Sequence, residues 1–333
     1  MHHVAERAGV SLKTVSRVIN DEPGVAAATA ARVAEAIAQL GFQRNDLARS
    51  LRQGRSSATL GLVIADTANP FYSVIARAVE ETARDRGYMV ITGSSDEDPE
   101  RGRELAIGLL RRRIDALLLV PAVRERDHQW LSRELGRSTP LVFLDRPPQG
   151  VESDTVLLDN VGGARSAVAH LLAGGHRRIA YVADPGELFT AAERLAGYRQ
   201  ALAAAGVPVP AELVRIGTHD TAQAEAVVRE LLALAPERRP TAIFTGNNRN
   251  TVGALRALRG LEHEVALVGF DDFELADLLA MPTTVVRHDP SRMGTEAAEL
   301  AFARLDGDTG PPRRLIMPTE LVPRGSGEVS PPP

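Results

Sequence analysis

The chain has no cysteine in 333 residues, which removes disulfides, thiolate nucleophiles and Cys-based zinc sites together. It has no apolar run long enough to cross a bilayer and no leader-like start, so a reduced, cytoplasmic protein is expected. Lysine is almost missing. Lys13 is the only one, so cationic contacts fall to arginine, whose planar fork can bond two acceptors at once. Aromatic residues make up only 4% of the chain, and the single tryptophan, Trp130, sits on an amphipathic stretch where packing accounts for it. No P-loop, strand-linked G-x-G-x-x-G, G-x-S-x-G or H-E-x-x-H occurs, and no two of the eight histidines have metal-ligand spacing on an expected helix. Catalysis, a bound metal and a cofactor are therefore not expected, and a binding protein is favoured over an enzyme.

Net charge is −4, which does not advertise nucleic acid until its distribution is read. Residues 1–58 hold eight cationic side chains against five carboxylates, a net +3, leaving −7 for the remainder. A small basic head on an acidic body suits a DNA-binding module joined to something that stays off DNA.

The head reads as two short helices around a tight turn over residues 4–20. Gly9 stops the first helix and Ser11 is placed to cap the second. Val15, Val18 and Ile19 form an inward stripe, while Leu12, Lys13, Ser16, Arg17 and Asn20 share the opposite face. Those outward side chains suit base edges and phosphates, although an ordinary capped hairpin with a solvated face has the same pattern. A third helix is expected from about Thr29, with Val33, Ile37 and Leu40 on one side, a poorly capped start after Ala26 and a stop at Gly41. Residues 45–58 read as a helix-compatible stretch fading into a charged linker.

From Thr59 the pattern changes. Strand-length apolar runs are expected at 60–65, 88–92, 116–120, 141–144 and 155–158, then at 178–182, 213–216, 242–245 and 265–268. Helical stretches at 74–86, 101–112, 164–173, 191–205, 222–234 and 251–258 alternate with them. This alternation means βαβ units with parallel strands, and two successive sets mean two similar α/β lobes with ligand space at the strand C-terminal ends. The Pro-rich end, residues 327–333, is expected to be disordered.

Head, linker and body together resemble the lactose-repressor (LacI/GalR) family of bacterial transcription regulators. The resemblance rests on the V-A-x-x-A-G-V-S-x-x-T-V-S-R-V-I-N run at 4–20 and the N-x-L-A-R-S-L-R run at 45–52. Asn69-Pro70-Phe71, Leu144-Asp145-Arg146-Pro147, Asp159-Asn160, Arg194-Leu195-Ala196-Gly197-Tyr198 and Val268-Gly269-Phe270-Asp271-Asp272 follow in order. It implies a helix-turn-helix domain over 1–44, a hinge helix and linker over 45–58, and a two-lobed, periplasmic-binding-protein-like effector and dimerisation body over 59–326. The implied function is a homodimeric repressor of near-palindromic operator DNA, released by a small sugar or polyol.

Carried over residue by residue, the resemblance assigns base contacts to Leu12, Lys13 and Arg17. Thr14, Ser16 and Asn20 lie nearer the DNA backbone, with Ser11 a cap that at most touches phosphate. In the hinge, Leu51 matches a minor-groove wedge, flanked by Ala48 and Arg52, with Asn45 opening the run. The implied effector contacts are Phe71, Tyr72, Asp145, Arg146, Thr190, Arg194, His219, Asn247 and Asp271, with Arg194 and Asp271 foremost. Core packing explains Phe71 equally well, and a capped turn opening a helix is the alternative for Asp271-Asp272. The chain departs from the family pattern at His3, Ala26, Arg44 and Asn248, and begins a few residues short of the usual head. The run Leu321–Ser326 resembles a protease tag but also the usual family ending, and is read as native. A purine-like corepressor, a solute-binding transport component and an α/β enzyme are the rival readings.

Overall fold

The computed structural model describes residues 1–19, 22–41, 56–122, 127–135, 139–261 and 264–332. The chain divides into two compact units, Met1–Ser57 and Ala58–Pro333. Asn20 of the head and Asn45, Ala48, Leu51 and Arg52 of the expected hinge lie outside the described residues.

The first unit contains α1 (His2–Ala8), α2 (Leu12–Ile19) and α3 (Ala27–Gln39). Gly9 ends α1 with φ 62°, a left-handed conformation that glycine adopts without penalty. The Ser11 hydroxyl accepts from the Thr14 backbone N–H at 3.2 Å, which is the expected cap. Val15 and Val33 are fully buried together with Val4, Ala5, Ala8 and Ala36, and Val18, Ile19 and Ile37 pack on this small core. Leu40 does not join it. The helix ends at Gln39, and Leu40 beyond it is 44% exposed. The start of α3 has no side-chain cap, as Ala26 leads one to expect.

The second unit is two α/β lobes of the same strand order, which differ in the direction of one edge strand. Lobe 1 holds β1 (Thr59–Ile64), α4 (Pro70–Asp85), β2 (Met89–Ser94), α5 (Pro99–Arg111), β3 (Ala116–Leu119), α6 (Gln129–Glu134), β4 (Leu141–Leu144) and β5 (Asp154–Leu158). Lobe 2 holds α7 (Asn160–Ala173), β6 (Ile179–Ala183), α8 (Phe189–Ala204), β7 (Val214–Ile216), α9 (Thr221–Leu232), β8 (Ala242–Thr245), α10 (Asn248–Ala257), β9 (Ala266–Phe270) and β10 (Thr284–Arg287). The chain then returns to lobe 1 as α11 (Pro290–Leu305) and β11 (Arg314–Met317), and ends in lobe 2 with β12 (Glu320–Val322). The sheet orders are β11-β5-β4-β3-β1-β2 and β12-β10-β9-β8-β6-β7. All pairings are parallel except β10 with β12. Central strands such as β1, β3, β4 and β8 are buried along their whole length, because helices cover both faces.

Helix starts lie two to four residues ahead of most of the sequence expectations. Asn69, Asp98, Asp159, Asp220, Asn247 and Asp289 cap α4, α5, α7, α9, α10 and α11 with their side chains, and three of these helices have proline in their first turn. An apolar stripe marks the buried face, but the cap marks the first turn, and each cap contributes about 1 kcal/mol. Helix α11 and strands β10, β11 and β12 were not among the expected elements. The end of the chain also departs from expectation. Ser326 and Gly327 are buried, His176 Nε2 lies 2.8 Å from the Val329 carbonyl, and Glu328 bonds the Thr284 hydroxyl at 2.9 Å, so the tail is packed rather than disordered through these residues. No helix opens after Asp271-Asp272; Asp272 instead binds Arg324 with both carboxylate oxygens, at 2.7 and 2.6 Å.

Candidate functional site

A cavity of about 370 Å³ lies between the two lobes, within the ~300–1,000 Å³ of small-ligand sites. Its walls come from the C-terminal ends of strands, where a parallel α/β sheet leaves its crevice. From lobe 1, Asp66 follows β1, Asp96 and Glu97 follow β2, Asp145 and Arg146 follow β4, and Phe71 and Tyr72 sit in the first turn of α4. From lobe 2, Asp184 follows β6, Thr190 and Arg194 lie on α8, His219 follows β7, Asn247 caps α10 and Asp271 follows β9. All nine effector candidates named from the sequence line this one cavity. Asp66, Asn69, Asp96, Glu97, Asp184, Leu188 and Arg249 line it too and were not named. Position just after an apolar strand was the signal available for the acidic members of that group.

Backbone strain is concentrated here. Among the described residues six non-glycine positions have positive φ, and four are cavity carboxylates: Asp96, Glu97, Asp145 (64°) and Asp271 (68°). Such conformations cost of order 1–3 kcal/mol each and persist where the surroundings enforce them, typically at binding sites.

The buried charges are held in two networks. In lobe 1, Arg146 makes a two-pronged bond to Glu97 at 2.7 and 2.6 Å and also donates to the Pro121 carbonyl and the Tyr72 hydroxyl. The Tyr72 hydroxyl in turn donates to Asp145 at 3.0 Å. Burial pushes the Asp145 carboxyl up, more than the neighbouring Arg146 and Arg194 pull it down. In lobe 2, Arg194 donates to Asn160 at 2.8 Å and to the Gly246 carbonyl at 2.5 Å, stacks on the Phe270 ring and lies 3.7 Å from Asp271. Burial pushes Asp271 up as well, but Arg194 and a 2.9 Å bond from His288 outweigh it, and its carboxyl stays below the usual range. Two bonds cross the cleft: Asn248 to Asn69 at 3.0 Å and Arg249 to Asp66 at 2.5 Å. Phe71 is half-buried, edge-on to Tyr72 and His288, so it packs and lines the cavity at once. Trp130 lies on α6 beneath Arg103, away from the cavity.

The head presents a second surface. Leu12, Lys13 and Arg17 are exposed on α2 and Ser11 just before it, with Thr14 and Ser16 half-buried between them. Arg17 lies 3.8 Å from Glu22, a loose contact between two exposed side chains that leaves the guanidinium free to turn to another anion.

Residues 1–45 match the lacI family of bacterial regulatory proteins, and residues 168–327 match a periplasmic binding protein-like domain. The HTH-type transcriptional regulator CelR of Thermobifida fusca is 37% identical over 338 residues, covering 97% of each chain. A solved complex of transcriptional regulator CelR with cellobiose superposes with a TM-score of 0.71 at 34% identity, over 97% of this chain and 98% of that one. The lac repressor dimer bound to operator and the anti-inducer ONPF superposes with a TM-score of 0.81 at 27% identity, over 97% of each chain.

Proposed function

Because the chain belongs to the LacI family of bacterial regulatory proteins and is a DNA-binding transcriptional regulator, not an enzyme, we propose that it is a repressor released from its operator by a sugar-like effector bound between its lobes. The observation that carries this reading is the convergence of Arg194 and Asp271 from one lobe with Asp145 and Arg146 from the other on a single cavity. Buried carboxylates and fixed donors can each take hydroxyls of a polyol through charge-assisted bonds, and Phe71 offers ring area to an apolar sugar face. That CelR is solved with cellobiose supports a sugar, without naming which.

The proposed control is a population shift. Effector in the cleft changes how the lobes lie on one another, which makes DNA-bound ordering of the hinge less favourable; a coupling of ~1–3 kcal/mol is enough. The working unit is a homodimer in the cytoplasm. Exposed Val74, Met89 (60%) and Ile91 on lobe 1, and Ile216, Leu275 and Leu278 (75%) on lobe 2, give it apolar surface to bury. Among the described residues no helix is long and apolar enough to cross a membrane.

The DNA-reading role of α2 is tested with operator duplexes selected from a random pool. Arg17→Ala is expected to cost about 1–3 kcal/mol of affinity and to relax preference at one base pair of each half-site. Loss of affinity without any change in preference would remove α2 from the role of reader. Tightening of operator binding by effector would make the effector a corepressor.

A further inference from the structure

The cavity is built with more negative than positive charge. Six carboxylates line it, from Asp66, Asp96, Glu97, Asp145, Asp184 and Asp271, against the guanidiniums of Arg146, Arg194 and Arg249. Each guanidinium is already engaged by the protein: Arg146 by Glu97, Arg249 by Asp66, and Arg194 by Asn160, the Gly246 carbonyl and Asp271. Among the described residues no guanidinium of the cavity stands free to receive a phosphate or carboxylate. Asp96 is neutralised from outside the cavity by Arg101 at 2.6 Å.

Asp145 shares Arg146 at 3.5 Å, so Asp184 is the carboxylate left over. Among the described residues no cationic side chain lies within ion-pair distance of it, and its hydrogen-bond partner is the Asn247 amide, a neutral donor that also caps α10. From these observations we infer that the effector is an amino sugar or amino-polyol whose ammonium group is held by Asp184. This deepens, and rests on, the reading of the cavity as the effector site. A neutral hydroxyl could bond the carboxylate but would leave its charge uncompensated once the lobes close and exclude water, whereas an ammonium supplies both donors and charge. The state of Asp184 agrees: burial raises its carboxyl to about 6, the Asn247 bond together with Arg194 and Arg146 opposes this incompletely, and Glu97 adds to it. Asp145 brings a second carboxylate to the same cavity from the facing lobe.

The test is calorimetric titration of the full-length protein with matched sets: glucose, glucosamine, N-acetylglucosamine and glucose 6-phosphate; galactose and galactosamine; cellobiose and its diamino analogue. The amine member of at least one set is expected to bind about tenfold or more tightly than its neutral and acetylated partners near pH 7.5. Its affinity should fall about tenfold by about pH 5, as Asp184 takes up a proton, while the neutral members change little. Asp184→Asn should bring amine and neutral sugars within about twofold of each other, with its fold checked by circular dichroism. Equal or tighter binding of the neutral or phosphorylated member in every set overturns the inference, as does an amine preference that survives Asp184→Asn. If the neutral member binds at least as tightly as the amine in every set and Arg194→Ala abolishes that binding, the inference fails while the sensor reading stands. If the folded protein binds no sugar of any charge, both fail.

Discussion

Asp184 and Asp271 follow β6 and β9 of the same sheet, with β8 between them, and line the same cavity, yet burial prevails at one and is overcome at the other. Asp271 faces Arg194 and a His288 donor and is held as an anion; Asp184 faces an amide and its carboxyl is pushed up to about 6. The consequence for stability has a definite sign. A carboxyl whose folded value lies above the unfolded ~3.9 binds more protons folded than unfolded between those values, so its contribution falls as pH rises through that window and is constant above it. Asp184→Asn is therefore expected to stabilise the ligand-free protein at neutral pH by ~1–3 kcal/mol. The gain should be absent near pH 4 and grow to its full value by about pH 7, read by urea unfolding of both proteins across that range. A variant no more stable than the parent at neutral pH would mean that Asp184 is already compensated. Its one signal in the sequence was its place just after an apolar strand, and a lone aspartate there belongs to no motif that would single it out. Arg194 and Asp271 could be picked out because they sit inside longer family-like runs.

At the scale of elements, the sequence revealed what is local and concealed what is not. Strands β4 and β8 have their expected bounds, since a short apolar run closed by Pro140 and Asp145, or by Thr241 and Gly246, needs no partner to be recognised. By contrast, β11 at a sheet edge exposes Arg314 and Ile316 and turns only Leu315 and Met317 inward, and it joins β5 only because α11 carries the chain back to lobe 1. Helix α11 had its own signal, Asp289 as cap with Pro290 after it, but its partner α4 lies more than two hundred residues earlier. Close helix pairing is likewise written in small residues. Gly197 on α8 lets that helix approach α7 so nearly that an added Cβ would lie 2.4 Å from the Val161 carbonyl oxygen and 2.8 Å from Ala164 Cβ. Because the nearer obstacle is backbone, the helices must separate. Gly197→Ala is expected to cost about 1–3 kcal/mol in urea unfolding, despite alanine's better helix propensity. A gain in stability would show that α7 and α8 can part freely.

For the whole molecule, the head and the body are separate units with opposite charge, and neither has a use alone in the proposed switch: the head reads DNA and the body reads the effector. The two-lobed architecture was legible because βαβ alternation runs twice along the chain. The proposed switch turns on the coupling between the two units. A single titration reaches it: fluorescence anisotropy of the selected operator duplex with the full-length protein, repeated at saturating effector, for the parent and for Arg194→Ala. For an effector-released repressor, the parent's operator affinity falls about 5- to 150-fold when effector is added, the range of a 1–3 kcal/mol coupling. In Arg194→Ala the two curves coincide. Parent curves that coincide at saturating effector, or an Arg194→Ala protein that responds at the same effector concentration as the parent, would contradict control of DNA binding through this cavity.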